Sequence, residues 1–174
     1  MKFEQLIAKH VTGHLSNSQL PELAVIGLTE GFESESLLIL ASMSENDNTF
    51  EIRQYFTNSL RELEIKLPEI RQACLIYAEG LIEEIFENKK ELIVGLREIK
   101  DNAIDEYDFY SETVRYCYDS IGFEKIYGLY VDYFEVQESV TKWNKRKSEK
   151  LINSIKTELL IELKKWKEKL NNGA

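Results

Sequence analysis

Residues 70–86 read IRQACLIYAEGLIEEIF, and this stretch decides the fold. Ile70, Ala73, Cys74, Tyr77, Leu81, Ile82, Ile85 and Phe86 recur at steps of three and four. That spacing lays a broad apolar face along one helix. Leu67-Pro68 precedes it: Pro68 drives Leu67 out of the α region and suits a first helical position itself. Asn88-Lys89-Lys90 forms a hinge after it. Leu92, Ile93, Leu96 and Ile99 then resume helical spacing.

The same period runs outward in both directions. Toward the N-terminus, Phe3, Leu6, Ile7, His10, Val11 and His14 predict one helical face within residues 1–15. Pro21 opens a short helix from Leu20 to about Thr29, which ends near Gly31. Ser34 caps the next helix. Its run Leu37–Ala41 is apolar nearly all round and is expected in the centre of the core. Asn48 followed by Glu51 resembles a capping box, ahead of the stripe Ile52, Phe56, Leu60 and Leu63.

Toward the C-terminus, residues 104–135 hold seven of the nine tyrosines. Gly122 is expected to separate two helices, one ending near Ile121 and one covering Phe123–Phe134. Aromatic content would also allow a strand at Ile126–Phe134, but the steps of three and four favour a helix. Residues 137–171 contain neither Gly nor Pro, which predicts one long helix. Its length would be about 50 Å, against a diameter near 40 Å for a compact chain of this size. It therefore overhangs, breaks near Ser148, or packs on a second subunit. The expected fold is all-α: an irregular multi-helix bundle or stacked helical hairpins. Its parts are an acidic body over 1–136 and a long basic amphipathic helix over 137–171, packed on the body or on a partner subunit.

Composition agrees. With 174 residues, two prolines and eight glycines, a turn-rich β-sandwich is disfavoured. The longest apolar runs, Leu23–Leu28 and Leu37–Ala41, fall far short of the roughly 20 residues a membrane span needs. Residues 1–20 carry Glu4 and only short apolar steps, so no signal peptide is expected and the cytoplasm is the expected address. Cys74 and Cys117 make neither a disulfide framework nor a metal motif and read as reduced core thiols.

Charge is divided unequally. The net charge is −9. Residues 1–141 carry −15 and residues 142–170 carry +6. An acidic body repels DNA and anionic membranes and suits a basic partner. The densest acidic stretch runs from Glu98 to Glu112. There Asp101, Asp105, Glu106, Asp108 and Glu112 interleave with Tyr107, Phe109 and Tyr110. Carboxylates give fast, salt-sensitive encounter, and tyrosines give contact area at low entropy cost. The plainer alternative is a solvated helix face over core tyrosines. Lys142, Lys145, Arg146, Lys147 and Lys150 form a basic patch that could meet phosphate, though no base-reading motif accompanies it. Equally, a basic helix laid over an acidic body reduces self-repulsion.

Catalytic signals are sparse. His10 and His14 are the only histidines, so any Ser-His-Asp or Cys-His site must use one of them. Spaced by four on a helix they could share a zinc ion, but they flank an apolar face and lack the HExxH glutamate. Phosphate-cradling glycine loops, a Gly-x-Ser-x-Gly elbow and Glu-x-x-His pairs are missing. No cofactor and no metal site is expected.

Residues 75–88, LIYAEGLIEEIFEN, followed by 91–99, ELIVGLREI, resemble small acidic helical bacterial proteins of unassigned function. Some of those are immunity partners of polymorphic or contact-dependent toxins. The resemblance covers roughly 34–135 and rests on apolar spacing with Gly80 and Gly95. It implies a non-catalytic protein that covers a basic partner. The expected function is therefore protein binding through Asp101, Asp105, Glu106, Tyr107, Asp108, Tyr110 and Glu112. Alternatives are self-association through 137–171, nucleic-acid binding by the basic patch, and an enzyme with a carboxylate or tyrosine site in a pocket.

Overall fold

The computed structural model describes residues 1–141 and 144–171, so Lys142 and Trp143 fall outside it. Among the described residues the chain is all-helical, with no strand. Eight α-helices follow in order: α1 (Phe3–Val11), α2 (Leu20–Thr29), α3 (Glu35–Ser42), α4 (Thr49–Glu62), α5 (Ile70–Phe86), α6 (Leu92–Glu98), α7 (Glu124–Glu138) and α8 (Lys145–Asn171). Two compact units divide the chain, Met1–Glu83 and the residues from Glu84 onward. That division falls inside α5.

The first unit has one apolar cluster built from α1 to α4. Phe3, Ile7, Leu20, Leu23, Leu37, Leu40, Ile52 and Phe56 are buried in it. Phe3 lies so close to Gly27 that a Cβ there would stand 2.7 Å from the ring. Helix ends are set by side chains, as the cap residues predict. Ser34 Oγ accepts the Leu37 N–H, and Asn48 Oδ1 accepts the Phe50 N–H. Both oxygens of Glu30 accept the Phe3 N–H at the start of α1, where a negative charge is favoured. Glu62 accepts the backbone N–H of Ser36 at 2.9 Å and its hydroxyl at 2.5 Å, which joins α4 to α3. The run Leu37–Ala41 is not central throughout: Leu37 and Leu40 are buried, while Leu38 on the opposite side is exposed.

Four helices end alike. After α1, α2, α4 and α5, the residue beyond the cap takes a left-handed backbone: Gly13, Gly31, Glu64 and Asn88. The next N–H reaches back five residues, as in His14 to Lys9 O and Phe32 to Gly27 O. This satisfies carbonyls that the helix end leaves over.

The second unit packs α7 against α8. Trp166 is fully buried, donates Nε1–H to the Ile121 carbonyl at 2.8 Å, and stacks on Phe123 at 4.7 Å. Lys125 on α7 pairs with Glu158 and Glu162 on α8. The long C-terminal helix is present as α8 but starts at Lys145, while residues 137–138 close α7. Between them Asn144 accepts the Thr141 N–H and donates to the Ser139 carbonyl. Such side-chain bonds compete with helix propagation, and the break lets α8 lie on α7 of its own chain. The helix expected to end near Ile121 is also absent. A π-helical turn (Ile99–Ile104) leads into consecutive turns and a 3₁₀ turn (Asp119–Ile121) before α7.

Candidate protein-binding surface

The acidic, tyrosine-bearing stretch lies in those turns. A π-helical turn spreads the backbone by one residue per turn. It places Lys100 between two carboxylates, with Nζ 3.0 Å from Asp101 Oδ1 and 2.7 Å from Asp105 Oδ2. Burial works to lower the Lys100 pKa, but the bonds to Asp105 and Asp101 outweigh it and hold it well above the ordinary value. Asp105 Oδ1 also accepts the Tyr118 hydroxyl at 3.2 Å. Burial, then the Asp105 charge, pushes that phenol up to about 12. Burial likewise raises the neighbouring Cys117 thiol above its usual value, which disfavours the nucleophilic thiolate.

The seven expected docking residues therefore divide. Asp101 and Asp105 are exposed and share the half-buried Lys100 ammonium. Tyr107 is half-buried and meets Phe109 edge-on at 4.7 Å, with Phe109 fully buried. Glu112 is half-buried. Glu106, Asp108 and Tyr110 are exposed. Asp108 Oδ1 accepts the Ser111 N–H at 3.1 Å, a local turn bond that fixes the backbone beside Tyr110.

Four residues escaped the sequence reading. Asp119 accepts the N–H groups of Val114, Arg115 and Tyr116 at 3.0, 2.7 and 2.9 Å. Those bonds, led by the one from Tyr116, hold its carboxyl below the ordinary range. Val114 and Tyr116 are 88% and 56% exposed at the tip of the loop. The available signal was a lone Asp three to five residues downstream of a non-periodic segment. Tyr118, counted earlier only among the aromatics, takes a left-handed backbone at φ 65° and buries its ring against Phe123 and Tyr127.

Other candidates are placed as follows. α1 stops at Val11 and Gly13 turns the chain, so His14 leaves the helix and does not share a face with His10. The His10 Nδ1 meets the Leu15 carbonyl at 2.8 Å, and the His14 ring stacks on Tyr77. Among the described residues no three His, Cys, Asp or Glu side chains converge as a metal site. Lys145, Arg146, Lys147 and Lys150 are exposed in the first turns of α8, while Lys142 lies outside the described residues. In the first unit a hollow of about 450 Å³ gathers Glu4, Glu30 and Glu79 beside Phe32 and Lys2. Two of these groups are engaged: Glu30 by the Phe3 N–H, and Lys2 by Glu83 at 3.0 Å. No described helix is long and apolar enough to cross a membrane. Compared with known proteins, the chain matches no family model, no curated protein and no solved structure.

Proposed function

We propose that this chain is a non-catalytic bacterial protein that binds a basic partner protein and covers its working surface, as an immunity or inhibitor protein does. The observation that carries the reading is the loop after the π-helical turn. It presents Glu106, Asp108 and Tyr110 to solvent on a backbone whose N–H groups donate to side-chain carboxylates. The negative charge of the chain supports it, since charge steers a basic partner to the surface. So does the resemblance of residues 34–135 to small acidic helical proteins. In this reading the chain acts in the cytoplasm.

The test is capture from a lysate of the source cells at about 50 mM salt, where exposed charges are weakly screened. Elution by a salt step is read by mass spectrometry. Wild type is expected to hold one stoichiometric basic protein, and the triple variant Glu106→Gln, Asp108→Asn, Glu112→Gln to lose it. Equal capture by both would remove this face from consideration.

A second reading is self-association through α8. It is favoured by Leu151 and Ile161, which are 48% and 50% exposed on that helix. Sedimentation velocity at rising concentration decides it, and a strict monomer ends it.

A further inference from the structure

Seven residues of the second unit carry three large exposed side chains: Tyr110 at 67%, Val114 at 88% and Tyr116 at 56%. Single apolar side chains on a surface are ordinary. Three within seven residues of one non-helical segment are more exposed apolar surface than folding alone requires. The tip is also held still. Its backbone closes in successive turns, Ser111 to Asp108, Glu112 to Phe109 and Thr113 to Tyr110. Phe109 plugs one end into the core. Asp119 gathers three consecutive N–H groups at the other end. Tyr118 locks the exit of the loop in a left-handed backbone, which costs a bulky residue about 1 kcal/mol. Strain of that kind persists where neighbouring structure enforces it, and it gathers at functional sites.

A rigid tip has already lost its conformational entropy on folding, so a partner does not have to order it. Tyr is among the side chains most often dominant at interface centres. The surroundings select the partner by charge. Residues 101–116 hold five carboxylates against the cation of Arg115, with Lys100 just before them. Lys100 is engaged by Asp101 and Asp105, and Arg115 lies over the Tyr116 ring at 5.1 Å. The carboxylates of Glu106 and Asp108 precede the tip in sequence, and that of Glu112 lies within it.

We infer that the tip 110–116 is the centre of the contact, and that it takes a basic protein segment in which Arg or Lys alternates with aliphatic side chains. The cations meet the carboxylates of Glu106, Asp108 and Glu112 and the Tyr110 ring, and the aliphatic groups pack on Val114 and Tyr116. This rests on the proposed function and narrows it, because it moves the energetic centre from the carboxylates to the three exposed side chains.

The test uses the full chain and fluorescein-labelled octapeptides, read by anisotropy at about 50 mM salt. One peptide alternates Arg and Leu, and a second alternates Arg and Ser. The Arg-Leu peptide is expected to bind, the Arg-Ser peptide to bind more weakly. Tyr110→Ala and Val114→Ser are each expected to weaken the Arg-Leu peptide by about tenfold or more. Asp119→Asn, which loosens the loop without removing a contact side chain, is expected to weaken it as well. Circular dichroism melts check that the variants fold; the tip side chains are exposed, so their melts are expected to be unchanged. If the tip variants bind like wild type while Glu106→Gln, Asp108→Asn, Glu112→Gln abolishes binding, the tip inference is overturned and the acidic-surface reading stands. If neither peptide binds at about 50 mM salt, the reading and the inference fall together.

Discussion

Lys100 Nζ lies 2.7 Å from Asp105 Oδ2, so the most acidic stretch of the chain contains its own counter-ion. The pair has a second member in Asp101 and a neutral neighbour in the Tyr118 hydroxyl. Its work is to fix the π-helical turn from which the loop departs. Lys100→Met leaves Asp101 and Asp105 facing each other without a cation. The expected loss is about 1 kcal/mol in urea unfolding, as for a partly exposed ion pair. Affinity for a basic partner is expected to hold or rise, because the surface gains negative charge. A loss of binding greater than the loss of stability would show that the pair has a direct role.

Acid weakens the fold at identifiable carboxylates. Hydrogen bonds from Ser36 hold Glu62 below the ordinary value, and those led by the Tyr116 N–H do the same for Asp119. A depressed folded pKa contributes stability above the unfolded value, about 4, and that stability is lost as pH falls through the folded value. Melting temperature is therefore expected to fall with acid below about pH 4.5. Glu62→Gln should flatten that dependence, with a lower melting temperature at neutral pH. An unchanged acid limb in this variant would show that Glu62 does not contribute.

Alkali acts through Tyr118. Its hydroxyl stays protonated in the fold up to about 12, whereas in the unfolded chain it ionises near 10. The unfolded state thus binds fewer protons across that interval, and stability falls as pH rises from about 10 to 12. Absorbance at 295 nm is expected to show one late-titrating tyrosine, missing in Tyr118→Phe. The variant should lose less stability between those pH values. A wild-type titration without that late step would contradict the buried bond to Asp105.

Two glycines of α2 and its end give opposite tests. Gly31 has φ 91° and open space around it, so Gly31→Ala is expected to cost about 1 kcal/mol from backbone strain alone. Gly27 has an ordinary helical backbone, but a Cβ would meet the Phe3 ring at 2.7 Å. Gly27→Ala is expected to cost about 1 to 3 kcal/mol through overpacking. Phe3→Leu should relieve Gly27→Ala but not Gly31→Ala in a double-mutant cycle. Glu64 stands at a left-handed position after α4, and Glu64→Gly is expected to gain about 0.5 to 1 kcal/mol.

Helices with strong periodicity were legible. The residues of α5 and the limits of α2 follow from apolar spacing, Pro21 and Gly31, because burial on one face and a fixed φ are local properties. Ser34 and Asn48 announced their helices through chemistry that needs only the next few residues. A break near Ser148 was one of the outcomes that length allowed, but its place before Lys145 was not legible, since it depends on Asn144 reaching back to Ser139. The helix expected to end near Ile121 is replaced by turns for a similar reason, because the backbone there follows the side-chain bonds of Asp108 and Asp119 and the left-handed Tyr118. For the docking surface, the sequence showed where charge and tyrosine gather. It did not show that Lys100 bridges Asp101 and Asp105, or that Val114 and Tyr116 are exposed. Those facts depend on which side chains the turns turn outward.

On the proposed function, a basic partner docks on the loop that follows the π-helical turn. Hydrogen-exchange mass spectrometry of the chain, alone and with the basic protein captured at low salt, tests this most directly. The account predicts that new protection concentrates in residues 105–119, fades when the complex is measured at high salt, and is absent with Tyr110→Ala and Val114→Ser combined. Protection confined to α8 or to the first unit, with exchange in 105–119 unchanged, would contradict it.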